Sequence, residues 1–338
     1  MLEHDIIVIG ASAGGVETLV QLIHALPANL PASIFIVLHI PAHSTSMLPQ
    51  ILSRAGVFPV VQPIDYQKIE ARHIYVAPPD HHLLIEQGHM RVVRGPRENR
   101  HRPAIDPLFR SAAVAYAAQV IGVVLTGALD DGTAGLQAIK QRGGIAVVQD
   151  PQEALFPDMP KSALAHVAVD YCMTIAQIGP LLGRLTRLSA TQEQIQPVSE
   201  DMGREVRVAA METNPLNHHE EVGEPSPYSC PECGGVLWET HDGALTRFRC
   251  RTGHAFSVES VLAEQSEQIE QALWVALKTL DENASLSRRM AKQARQNGHA
   301  WLAEHLEARV REAEQHAILL RQVLMKKPSG KLKDVDIL

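Results

Sequence analysis

Residues 5 to 15 read DIIVIGASAGG, a short β-branched run that ends in glycines at positions 10, 14 and 15 around Ser12. Apolar residues on both faces of so short a run suit a strand buried between two helical layers. The glycines after it permit a sharp turn into a helix. The next stretch, VETLVQLIHAL, spaces its apolar residues at helical intervals. The alternation continues through SIFIVLH, HIYVAP, VIGVVLTG and GIAVVQ, with helical stretches such as TAGLQAIKQRG between them. This βα pattern predicts an α/β fold with a doubly wound, mostly parallel sheet covered by helices on both faces. The segment HHLLIEQGHMRVV alternates about Gln87-Gly88 and predicts a β-hairpin at one edge of that sheet.

The chain has 338 residues, enough for about two domains. With 45% hydrophobic and 20% charged residues it has the composition of a globular protein, which excludes wholesale disorder and a membrane bundle. No apolar run approaches the roughly 20 residues that span a bilayer, and the N-terminus has no basic region before its apolar run. A cytoplasmic protein is therefore expected. A net charge of −7 argues against nucleic-acid binding and against an anionic-membrane surface.

Residues 1–188 form the expected α/β domain. After about Arg187 the composition turns polar, acidic and proline-containing without a sustained period, so 189–228 reads as a linker. Residues 229–256 hold three of the four cysteines, 257–325 read as a helical hairpin, and 326–338 as a frayed tail. In the hairpin, Trp274 and Trp301 are expected to pack in the core, and Cys172 is read as a buried thiol of the α/β domain.

In a parallel sheet, chemistry gathers beyond the carboxyl ends of the strands. Three such ends carry reactive types: Ser12 in the glycine turn, His39 after SIFIVL, and Asp130-Asp131 after VIGVVLTG. A hydroxyl, an imidazole and a carboxylate make a nucleophilic set, and the amides near Ala13 and Gly14 are candidate oxyanion donors. Other readings fit less well. A dinucleotide fingerprint needs glycine where Ser12 stands, and an α/β-hydrolase elbow needs the order Ser, acid, His. Singly, Ser12 reads as a helix cap and the aspartates as a turn.

The ordered elements IGASAGG, VLHIP, VAPPDHHLLIE, HRPAIDPLFRSAA, VVLTGALDDGTAGL and AVVQDPQEALFPDMPKSAL resemble the catalytic domain of CheB-type protein-glutamate methylesterases of bacterial chemotaxis, over residues 5 to 185. The resemblance implies Ser12 as nucleophile, His39 as general base and Asp131 as orienting acid. It implies hydrolysis of glutamate γ-methyl esters on a chemoreceptor-like partner, glutamine deamidation as a second activity, and no cofactor for that chemistry. A non-catalytic signalling scaffold on the same fold is the alternative. The receiver domain that usually precedes the esterase is not expected here, and with it phosphorylation control within the chain is not expected. Ala128-Leu129 replaces the Met-Gly pair of many relatives, a departure that bears on substrate fit. The residues around His101, Arg102 and Asp106 match a family motif, to which a structural or cleft-lining role is given.

Cys230, Cys233, Cys250 and His254 form C-x2-C-x16-C-x3-H, the spacing of a structural zinc site with all four positions filled by protein. Leu237, Trp238, Phe248 and Phe256 are the expected packing around it. The helices beyond are expected to pair within the chain and to offer a surface to a regulatory protein.

Overall fold

The computed structural model describes residues 4–43, 45–190, 196–212, 223–242 and 245–325, and it groups the chain into two compact units, Met1–Val261 and Leu262–Leu338. His218-His219 and the tail at 326–338 lie outside the described residues.

In chain order the α/β part runs β1 (Ile6–Ala11), α1 (Gly15–Ala25), β2 (Ser33–Leu38), α2 (Leu48–Ser53), β3 (Val60–Val61), β4 (Ile74–Val76), β5 (His82–Glu86), β6 (His89–Val93), α3 (Ile105–Tyr116), β7 (Val120–Val124), α4 (Thr133–Gln141), β8 (Ile145–Gln149), α5 (Asp158–His166), β9 (Tyr171–Met173) and α6 (Ile175–Leu185). Seven strands form one sheet in the order β3-β4-β2-β1-β7-β8-β9, every pair parallel. All six residues of β1 are buried. Ile7, Ile9 and Ala11 point into a core shared with α1 and α6, whereas Ile6 and Val8 enter a second core shared with α3 and α4. That two-residue alternation is why the strand is apolar throughout. The chain steps outward from β1 to β2 on one side and from β7 to β8 on the other, so the strand order reverses beside β1. The carboxyl ends of β2, β1 and β7 lie side by side at this switch point, where crevices open in such sheets.

Two features of the α/β part depart from expectation. The hairpin β5–β6 is a separate two-stranded sheet and not an edge of the main one. Its apolar face is used against α3, where Ile85 N also donates to Ser111 Oγ at 3.0 Å, and β3 occupies the edge. Cys172 is exposed. It lies on the outermost strand, β9, whose neighbouring residues Tyr171 and Met173 turn inward instead.

Within the stretch read as a linker, Glu200–Ala209 is a helix, α7, capped by Ser199 Oγ, which accepts from Met202 N at 3.1 Å. Ala209 packs with Leu84 and Val93 of the hairpin. Next comes a four-stranded antiparallel ribbon, β10 (Glu224–Ser229), β11 (Val236–Asp242), β12 (Leu245–Cys250) and β13 (Ala255–Ser257). Its core is small: Cys230, Leu237, Phe248, Cys250, Phe256 and Val261. Buried charge joins it to the α/β part. Arg110 on α3 makes two bonds to Glu98, at 2.8 and 2.7 Å, Arg249 reaches Glu98 at 3.3 Å, and Arg247 reaches Glu205 of α7 at 2.6 Å.

Helices α8 (Val258–Gln296) and α9 (Ala300–Met325) follow. Buried along them are Leu277, Ala284, Ala291 and Ala294, then Ala303, Leu306, Val310, Ala313 and Ala317. Arg295 pairs with Glu307 at 2.9 Å and Arg321 with Asp281 at 2.7 Å. Trp274 and Trp301 are 54% and 76% exposed, against the expected core placement. Alanines at the recurring seam positions bring the helices close together and leave no room there for an indole.

Candidate active site and metal centre

The turn after β1 is held from below. Ser12 N donates to Thr126 O at 3.0 Å, Gly15 N donates to Ser12 O at 2.9 Å, and Thr126 Oγ1 donates to Ala13 O at 3.0 Å. Gly14 has φ +72°, a backbone region that favours glycine. A Cβ on Gly127 would stand 2.0 Å from Met159 Sδ and 2.9 Å from Ser12 Cβ, so the loop after β7 passes against the serine with only hydrogen between them.

His39 leaves the end of β2 with Nδ1 3.1 Å from Ser12 Oγ and Nε2 2.8 Å from Asp131 Oδ2. The carboxylate can only accept, so the ring proton sits on Nε2 and the Nδ1 lone pair faces the serine hydroxyl. Side-chain exposure is 5% for His39 and 3% for Asp131. Asp131 accepts four further bonds, from Ile105 N at 2.7 Å, Asn99 Nδ2 at 2.8 Å, Gly132 N at 3.0 Å and Asp106 N at 3.3 Å. Burial alone would raise this carboxyl; the bond and charge from His39, with the Ile105 and Asn99 donors, instead hold it well below the ordinary carboxylate range.

The two neighbouring acids behave oppositely. Burial, and then the charge on Asp131, push Asp106 up to about 7. Burial pushes Asp130 up to about 8 against the bond from Ser257 Oγ, which reaches Asp130 Oδ1 at 2.7 Å. Of the paired aspartates, then, it is Asp131 that meets the histidine, while Asp130 turns to the ribbon.

Asn99 was not assigned to the site from sequence, and His101, read there only as structural or cleft-lining, sits closer to it than that. His101 stacks on His39 with ring centroids 3.6 Å apart and planes 14° from parallel. Burial, and then the neighbouring His39, push His101 down to about 3, which keeps it neutral beside the His39 ring. Asn99 bridges Asp106 Oδ2 at 2.9 Å and Asp131 Oδ1. The only sequence signal for either was the HRPAID motif, which Asn99 precedes by two residues. Ser12, Ala13, His39, Pro41, Arg97, Arg100, His101 and Arg102 line a cleft of about 490 Å³. Three of its lining residues are arginines, of which Arg97 pairs with Glu232 at 3.2 Å and Arg102 with Asp80 at 2.6 Å.

The second cluster is in the ribbon. One donor atom from each of Cys230, Cys233, Cys250 and His254 lies within 4.8 Å of every other. Cys233 Sγ is 3.7 Å from Cys250 Sγ, and His254 Nδ1 is 3.7 Å from Cys230 Sγ and 3.5 Å from Cys250 Sγ. Tetrahedral sulfur ligands about 2.3 Å from a zinc ion stand roughly 3.8 Å apart, so the donor set fits that metal.

A family model described as CheB methylesterase matches residues 7–182. A Leptospira interrogans protein, provisionally named protein-glutamate methylesterase/protein-glutamine glutaminase, is 39% identical over 192 residues, 56% of this chain and 100% of that one. Proteins of that name from Rhizobium johnstonii and Hydrogenovibrio crunogenus are each 36% identical, and this chain spans about half of their length, 48% and 47%. The crystal structure of the Thermotoga maritima CheB methylesterase catalytic domain superposes with a TM-score of 0.52 at 32% identity, covering 54% of this chain and 98% of that one. The parallel sheet and the matched residues agree with one another, and the chain belongs to the CheB methylesterase family.

Proposed function

We propose that this protein is a cytoplasmic serine hydrolase that removes the methyl group from glutamate γ-methyl esters on chemoreceptor-like proteins, with Ser12, His39 and Asp131 as its catalytic triad. The observation that carries the reading is the continuous chain from Ser12 Oγ through both nitrogens of His39 to Asp131, opening on the cleft. Ser12 Oγ attacks the ester carbonyl as His39 Nδ1 takes its proton, and Asp131 stabilises the imidazolium formed. The amides of Ala13 and Gly14 are the assigned oxyanion donors, immediately before α1, where the helix N-terminus adds positive potential. Collapse of the tetrahedral adduct releases methanol carrying the proton from Nδ1. Water then attacks the acyl-enzyme by the same route, giving glutamate and free Ser12. With a glutamine side chain the same steps release ammonia, the second activity proposed. Arg97, Arg100 and Arg102 line the cleft, with Arg97 paired to Glu232 and Arg102 to Asp80, so the wall offers a receptor segment hydrogen-bond donors more than uncompensated charge.

The ribbon is assigned one structural zinc held by Cys230, Cys233, Cys250 and His254. All four tetrahedral positions are filled by protein, so the ion would brace the fold and activate no water. The helices α8 and α9 are assigned the contact with a receptor or regulatory protein. Among the described residues no helix is long and apolar enough to cross a membrane.

Methanol release from a methylated receptor fragment tests the reading. Wild type is expected to release it and folded Ser12→Ala to release none. Equal release by both would remove Ser12 from the reaction. One zinc per chain is expected by elemental analysis, lost in a Cys230→Ser/Cys233→Ser variant.

A further inference from the structure

The strand that follows the Cys/His cluster leads directly to the carboxylate behind His39. After His254, β13 lies along residues 97–99: Ala255 N donates to Arg97 O at 3.2 Å and Asn99 N donates to Ala255 O at 2.8 Å. Ser257 N then donates to Asn99 Oδ1 at 3.0 Å. A side-chain amide whose oxygen is held on one side must present its NH2 on the other. That NH2 is what reaches Asp131 Oδ1 at 2.8 Å and Asp106 Oδ2 at 2.9 Å. Ser257 also anchors Asp130 through its hydroxyl and accepts from Ser260 N at 3.0 Å.

The segment so held is not at rest on its own account. Asn99 and Arg100 have φ +47° and +73°, which L side chains rarely adopt and which surrounding contacts must therefore impose. Arg97 NH1 reaches Glu232, between the first two cysteines, at 3.2 Å. Arg247 and Arg249, on the strand that ends in Cys250, flank Glu98 at 3.4 and 3.3 Å. The family model ends at residue 182, so this ribbon is an addition to the matched domain. Two of the six residues of its core are cysteines of the cluster, so the ribbon's order depends on what those thiols hold.

We propose that β13 is part of the esterase site: it positions Asn99 and through it Asp131, so that occupancy of the Cys230/Cys233/Cys250/His254 site by zinc sets the rate of the reaction at Ser12. Ser257 is a positioning residue in this arrangement. The proposal rests on the esterase reading.

Full-length zinc-loaded protein is compared with the same protein stripped by a chelator and then reloaded. The readouts are bound zinc, hydrogen exchange of peptides covering 97–106, 255–260, β1 and β7, and kcat and KM for methanol release. Stripping is expected to speed exchange at 97–106 and 255–260 while β1 and β7 stay protected. It is expected to lower kcat about ten- to a hundredfold, the span of one hydrogen bond to a buried carboxylate, with KM nearly unchanged and zinc restoring the rate. If stripping unfolds the chain, Ser257→Pro, which removes the N–H that holds Asn99 Oδ1, carries the test: kcat falls about three- to tenfold at constant KM, and Ser257→Ala, which keeps that N–H, does not lower it. Stripped protein that exchanges and turns over like loaded protein overturns the proposal, as does folded Ser257→Pro at the wild-type kcat. Loaded wild type that releases no methanol overturns the esterase reading and this proposal with it; wild-type turnover indifferent to zinc overturns this proposal alone.

Discussion

Asp131→Asn keeps the volume of the side chain and changes one atom from acceptor to donor. Both oxygens of Asp131 are surrounded by donors: His39 Nε2 and Ile105 N at Oδ2, and Asn99 Nδ2, Gly132 N and Asp106 N at Oδ1. The new NH2 therefore faces N–H groups whichever way it turns. Turned toward His39, it drives the ring to the other tautomer, with the proton on Nδ1 facing Ser12, and leaves Ile105 N unpaired. Turned away, it opposes Asn99, Gly132 and Asp106. Two buried bonds lost at about 1–3 kcal/mol each, offset in part because Asp106 no longer meets a charged neighbour, give a destabilisation of about 2–4 kcal/mol. At 2–4 °C per kcal/mol for a domain of this size, Tm falls by roughly 10 °C. The wrong tautomer lowers kcat by about four orders of magnitude, the size known for the same substitution in a serine protease. Methanol release at saturating methylated receptor, measured well below the variant's Tm, reads the effect. A variant within tenfold of the wild-type kcat would refute both the tautomer assignment and the role given to Asp131.

Three further outcomes are expected. Asp130 has a folded-state pKa near 8, raised above that of the unfolded chain, so stability present below about pH 4 is lost as pH rises toward 8. Asp130→Asn lacks this loss, so its Tm should gain on wild type between pH 4 and 8; a gap independent of pH would show that Asp130 is not held neutral. Glu98→Gln leaves Arg110, Arg247 and Arg249 short of a buried carboxylate and should cost about 3 kcal/mol by urea unfolding. For Glu98 burial would raise the carboxyl, but Arg110, Arg249 and Arg247 outweigh it, so this stabilisation is present above about pH 4 and shrinks as pH falls further. Unchanged stability across that range would mean the network contributes nothing net. Gly179→Ala places a Cβ 2.5 Å from Ala25 O where α6 crosses α1, and should destabilise by about 1–3 kcal/mol in thermal unfolding without changing KM; a neutral result would show that the two helices can part there.

Much of the site was legible because its signals are local. An apolar strand that ends in GASAGG announces its own turn, and parallel strands deliver Ser12, His39 and the Asp130-Asp131 pair to one edge once their order is known. The C-x2-C-x16-C-x3-H spacing likewise carries its geometry in the chain. Signals failed where a residue's role depends on a distant partner. Helix α7 shows few apolar positions, and its half-buried Glu205 is met by Arg110, Arg247 and Arg249 from elsewhere in the chain. His101 looks like any histidine in an arginine-rich stretch until its ring lies on His39.

The helical stretches show the same division. Periodicity announced two long helices and put Trp274 and Trp301 in their core, whereas alanines with Leu277, Leu306 and Val310 bury and both indoles stay outside. Sequence alone determined the βα alternation, the reactive types at three strand ends and the four metal-type donors, since each follows from spacing within a few residues or from a repeat of strand and helix. Tertiary structure alone decided that Asp130 turns to the ribbon, that Asn99 joins the ribbon to Asp131, and that the ribbon packs with the α/β part. Those outcomes depend on burial and on which hydrogen-bond partners remain once the faces have met, and neither is written in the spacing of residues along the chain.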